Sequence, residues 1–139
     1  MHDCKSWGLL ALRLALAIVF IQHGYGKLFG GNPGMEAFTG MVAALGFPLP
    51  AIFAYAAALS EFVGGLALLV GAYTKIAGAF IGIVMLVALF GVQKFAFPSA
   101  DVDLALLGGA VALFCLGGGR FSVMHYFGKG DCCGEGTCK

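Results

Sequence analysis

Residues 51–92 read AIFAYAAALSEFVGGLALLVGAYTKIAGAFIGIVMLVALFGV. Two long apolar runs, about 51–73 and 76–92, are separated only by the tripeptide YTK, and the first carries a single charge, Glu61. Crossing the hydrocarbon of a bilayer takes about 20 mostly apolar residues. So short a connection between two such runs predicts an antiparallel hairpin of membrane helices. Working outward, a third run lies at about 7–29, interrupted by Arg13, Gln22, His23 and Lys27. A fourth, VDLALLGGAVALFCLGG, occupies about 102–118, with Asp103 in its first turn, where a carboxylate complements the helix dipole. The expected fold class is all-α, an integral membrane four-helix bundle over 1–123 followed by a polar tail, 124–139.

Composition agrees with that solvent. Hydrophobic residues make up 60% of the chain and charged residues 11%, with a mean hydropathy of +0.96. A soluble domain carries about 25% charged residues. A helical core wrapped by other subunits would share this composition, but four long apolar runs favour lipid. The net charge of +1 argues against nucleic acid as a partner. No small-residue cleavage site follows HGYGKLFGG, so the first run is expected to be a retained helix rather than a signal peptide. Lys5, Lys75, Arg120, Lys129 and Lys139 fall on one side of the expected topology, Lys27 and Lys94 on the other. Basic residues prefer the cytoplasmic ends of spans, so a cell (inner) membrane protein with both termini in the cytoplasm is expected.

Membrane helices associate through close backbone approach and interhelical hydrogen bonds. At 100° per residue, Ala54, Ala57, Ala58, Glu61, Gly64 and Gly65 share one face of the second span. Gly78 and Gly82 stand at GxxxG spacing in the third span, and Gly108 and Ala112 repeat the small-xxx-small pattern in the fourth.

Ionisable groups inside a bilayer cost at least about 2.5–3.5 kcal/mol each and therefore face partners or a cavity. Arg13, His23 and Lys27 fall within an arc of roughly 80° on the first helix, and Glu61 is the carboxylate deep enough to balance them. An Arg13–Glu61 ion pair or a Glu61–His23 hydrogen bond that merely sets helix register would account for part of this set. An imidazole and a second cation on the same stripe point further, to a pocket for a small redox-active or polar headgroup reached from the membrane. His23 and Glu61 are its candidate catalytic pair, since histidine passes protons near neutral pH and a buried glutamate exchanges them. Gln93 and Lys94, among Phe90, Phe95 and Phe97, form either an interfacial belt with a snorkelling lysine or the mouth of this pocket.

LRLALAIVFIQHGYGKLFGG, then ALSEFVGGLALLVGAYTKIAGAFIGIVML, then a fourth span ending in GGGRFSV together resemble the DoxX family, over roughly residues 9–123. The resemblance implies a membrane subunit of thiol or sulfur oxidation systems, with quinone as electron acceptor. It makes Arg13, His23, Lys27 and Glu61 the pocket residues, with Arg13 and Lys27 binding the cofactor. Other redox or membrane subunits are the implied partners, and a homo-oligomer is a further expectation.

The tail, GKGDCCGEGTCK, departs from the family pattern. Cys4, Cys132, Cys133 and Cys138 would share one compartment and complete a four-sulfur set if the tail folds back. Such a set suits zinc or copper in principle, although CCGEGTC lacks the C-x-x-C hairpin of common zinc sites. Idle thiols, soft-metal binding, thiol–disulfide exchange and lipidation all remain open for it. Cys115, inside the fourth span, is expected to be inert packing. The alternative to a redox subunit is a non-catalytic membrane partner that assembles a complex, handling a soft metal through this tail. Small-molecule transport is a weaker third reading, since no inverted repeat is detected.

Overall fold

The computed structural model describes residues 2–30, 34–92 and 100–126. Among these the chain is helical without strands: α1 (His2–Leu28), α2 (Gly34–Ala44), α3 (Pro50–Val70), α4 (Thr74–Val87) running into a π-helical turn (Ala88–Val92), α5 (Asp101–Leu116) and the short α6 (Val123–Tyr126). The fold class expected from sequence, an all-α membrane bundle, is the one observed. Three helices are long and apolar enough to cross a membrane, Cys4–Leu28, Pro50–Val70 and Thr74–Val92. The fourth member, α5, has 16 residues, about 24 Å at 1.5 Å per residue.

The hairpin turn is tight because Gly71 ends α3 in the left-handed conformation (φ 79°), its N–H donating to the Ala67 carbonyl. Tyr73 then enters α4, also left-handed (φ 48°). The lipid-facing side of α3 is a stripe of Ile52, Tyr55, Leu59, Val63, Leu66 and Val70, all exposed. Its other face is the small one read from sequence: Ala54, Ala58, Glu61, Gly64 and Gly65 are buried. Apolar side chains outside and small ones inside are what a bilayer favours, because lipid replaces water as the solvent of the outer face.

Glycines set the helix spacing. A Cβ on Gly24 of α1 would lie 2.6 Å from the Phe62 backbone nitrogen on α3, and one on Gly65 would lie 2.9 Å from the Ile21 nitrogen on α1. Between α4 and α5, a Cβ on Gly78 would come within 2.9 Å of the Ala110 carbonyl, whereas Gly82 has room to spare. On α5 it is Gly109, not Gly108, that meets α1: Gly108 has nothing within 4 Å and is exposed, so the small-residue pattern there points outward. The core, including Leu16, Phe20, Leu68, Ile81, Met85 and Leu113, fills the space between α1, α3, α4 and α5.

The sequence reading places no helix between the first two spans, where the structure has α2. Phe38, Met41, Val42 and Leu45 recur at i, i+3, i+4 and i+7, and this stripe was the legible signal. A Cβ on Gly91 of the π turn would stand 3.2 Å from Leu45, so the end of α2 reaches across to α4. Cys115, expected to be buried packing, is exposed on the outside of α5.

Candidate functional site

Glu61 sits midway along α3 with 1% of its side chain exposed, and Lys27 near the end of α1 with 13%. The Lys27 ammonium donates to both carboxylate oxygens, at 2.7 Å to Oε1 and 2.6 Å to Oε2. It also lies 4.3 Å from the ring centre of Phe38 on α2, a cation–π contact. A glycine, Gly24, one turn before Lys27 lets α3 approach closely enough for this pairing.

Arg13 takes no part in it. Its Nη1 donates to the Gly118 carbonyl at 2.9 Å and its Nη2 to the Phe121 carbonyl at 3.0 Å, in the turn after α5. Gly71 makes room for the guanidinium: a Cβ there would stand 2.7 Å from Nη1. The neighbouring Nε is buried without a partner among the described residues. The expected Arg13–Glu61 pair is therefore replaced by an arginine staple at the opposite end of the bundle. Contacts between Gly24 and Phe62 and between Arg13 and Gly71 show why. Arg13 lies about 11 residues, or ~16 Å, from the depth of Glu61 along antiparallel helices. The angular stripe on α1 is real, but a stripe does not specify depth.

His23 does not bond Glu61 either. It is exposed, has no hydrogen-bond or ion-pair partner among the described residues, and lines a cavity of about 590 Å³ that Lys27 and Glu61 also line. The cavity's polar groups are His23, Lys27, Ser60, Glu61 and Asp103. The Ser60 hydroxyl is already committed, donating to the Ala57 carbonyl at 2.8 Å. The remaining wall is apolar: the stripe of α2, the N-terminal half of α3, and α4 with its π turn. Volumes of about 300–1,000 Å³ with few convergent polar groups are typical of small-molecule sites.

The void has a sequence cause. Gly64 faces Ile81 closely, so α3 and α4 touch near their hairpin. Toward the other end α3 presents Ala56, Ala57 and Ser60, too small to fill the gap to Ile83, Val84 and Val87. Phe53, Phe80, Ile83 and Val87 line the cavity while remaining exposed on the outer surface of the bundle, so it opens sideways between α3 and α4.

Gln93 and Lys94 lie outside the described residues, as do Cys132, Cys133 and Cys138. Cys4 is exposed in the first turn of α1, and no group of His, Cys, Asp or Glu among the described residues is arranged to hold a metal. Asp103 was read from sequence only as a helix-dipole partner; its place in the cavity wall was missed.

The DoxX family model matches residues 8–94, which include most of α1, all of α2 to α4 and the His23, Lys27 and Glu61 side chains. The chain is 32% identical over 129 residues to the Bacillus subtilis (strain 168) protein named "Putative oxidoreductase CatD", covering 91% of both chains. It is 31% identical over 134 residues to the "Inner membrane protein YqjF" of Escherichia coli (strain K12), covering 93% of this chain and 98% of that one. No solved structure matches.

Proposed function

Since the chain belongs to the DoxX family of membrane proteins, we propose that it is a membrane subunit of a redox system that binds a quinone-type molecule in the cavity beside Lys27, Glu61 and His23. The observation that carries this reading is an unpartnered imidazole and a buried ion pair at the edge of a large, otherwise apolar space within the bundle. One relative's name, that of an oxidoreductase, supports the redox class. The residues fit such a ligand: apolar walls suit a ring and its tail, the sideways opening suits arrival from lipid, and His23 and Lys27 offer hydrogen-bond donors. A quinone accepts two electrons and two protons, and the family resemblance makes thiols or reduced sulfur the donor class. Within this scheme Lys27 orients a ring oxygen, Glu61 holds Lys27 in place, and His23 hands over a proton. The basic-residue bias supports cytoplasmic termini, which would put the cavity in the outer half of the membrane.

The test is binding of a short-chain quinone to the purified protein in nanodiscs. His23→Ala is expected to weaken it about tenfold while leaving thermal unfolding unchanged, because the exposed imidazole has no hydrogen-bond or ion-pair partner among the described residues. Wild-type protein that neither retains nor binds a quinone would remove this reading.

A further inference from the structure

Four charged or titratable groups face the cavity: His23 and Lys27 from α1, Glu61 from α3 and Asp103 from α5; α2 and α4 contribute none among the described residues. Lys27 and Glu61 satisfy each other. Asp103 is half-buried and, like His23, has no hydrogen-bond or ion-pair partner among the described residues.

The helix register brings these two together in depth. A Cβ on Gly109 of α5 would touch Leu16 and Leu12 of α1, and one on Gly119 would touch Leu9. Leu9, Leu12 and Leu16 therefore mark the face of α1 that meets α5, and His23, seven residues beyond Leu16, continues that face within about 20°. On the antiparallel α5, Asp103 stands seven residues before Ala110, which is 1% exposed, so it too is on the inward face. From the Gly109–Leu16 contact, Asp103 is about 9 Å along α5 and His23 about 10.5 Å along α1, in the same direction.

We propose that Asp103 is the group of the cavity that recognises the reduced ligand, accepting a hydrogen bond from its ring hydroxyl at the depth of His23. The inference rests on the quinone reading above. Reduction takes two electrons from the thiol donor, as two thiols become a disulfide and release their two protons to water. The ring oxygens take up two protons, one handed over by His23 and one drawn from water, and His23 is reprotonated from water, so that the protons taken up balance those the thiols release. The Asp103 carboxylate accepts a charge-assisted hydrogen bond from a ring hydroxyl of the reduced form, whereas it offers the oxidised form nothing.

That asymmetry gives a test independent of the unknown partner subunit. Affinities of the full-length protein in nanodiscs are measured for menadiol under anaerobic conditions and for menadione. Asp103→Asn is expected to weaken menadiol binding about tenfold at neutral pH and to leave menadione binding within twofold. Asp103→Glu is expected to restore most of the loss. If Asp103→Asn changes both affinities together or neither, the inference fails while the quinone reading stands. If wild-type protein binds neither compound, both fall. Should Asp103→Asn fold poorly, Asp103→Ser is measured in its place: a loss for menadiol alone supports the role, and a change in both affinities or in neither overturns it.

Discussion

Lys27 and Glu61 satisfy each other at 2.6–2.7 Å in a place where neither could be left alone. Removing one member of a buried pair strands the other charge and costs about 3–5 kcal/mol, whereas replacing both with apolar groups is often neutral. Lys27→Met and Glu61→Met are each expected to lower thermal stability in detergent by that amount, and the double variant by less than either. A double variant that loses the sum would mean that the pair is not the unit. Lys27→Met and the double variant should lose quinone binding, since the cavity then lacks its cation, and Glu61→Met should weaken it, since Lys27 is no longer held in place. Sequence alone identified both residues, because charge in an apolar span is conspicuous. It left Arg13 and His23 as alternative partners of Glu61 within one stripe, because 100° per residue fixes direction and leaves depth to the packing of Gly24 against Phe62. Arg13 shows the same limit from the other side: its partners are carbonyls of the turn at Gly118 and Phe121, and backbone acceptors leave no trace in side-chain chemistry.

Helices in this bundle are spaced by glycine, and not every glycine does so. A Cβ at Gly24 or Gly78 would collide with backbone atoms of the next helix, while at Gly108 it would meet nothing. Gly24→Ala and Gly78→Ala are expected to cost about 1–3 kcal/mol through overpacking. Gly108→Ala should be neutral or stabilising by up to about 1 kcal/mol, from helix propensity alone. Thermal unfolding of the three variants in one detergent distinguishes them; equal losses would mean that backbone approach does not set the spacing. The hairpin of α3 and α4 was legible from the apolar runs on either side of YTK, and the small face of α3 from its period. The pattern at Gly108 and Ala112 misled because α5 is small on two sides, with Gly108, Gly109 and Ala110 in succession, and spacing cannot say which side meets a neighbour. The helix α2 escaped because its 11 residues are too few to register as a span, although its apolar stripe lines the cavity.

At the scale of the whole molecule the cavity is either a packing defect or a site, and the two make opposite demands on the same atoms. A close-packed interior loses stability with each void. This bundle nonetheless keeps Ala56, Ala57 and Ser60 facing α4 where larger apolar residues would close the gap. If the space is only a defect, filling it improves packing and harms nothing. If it receives a ligand, filling it preserves the fold and abolishes binding. Ala57→Phe places an aromatic ring between the N-terminal half of α3 and the C-terminal half of α4, one helical turn before Glu61 in the cavity wall. Its melting temperature should equal or exceed that of the unaltered protein, while affinity for menadione falls at least tenfold. Unchanged affinity in a stably folded Ala57→Phe protein would show that the ligand binds elsewhere. The Lys27–Glu61 pair would then serve only to hold α1 and α3 in register.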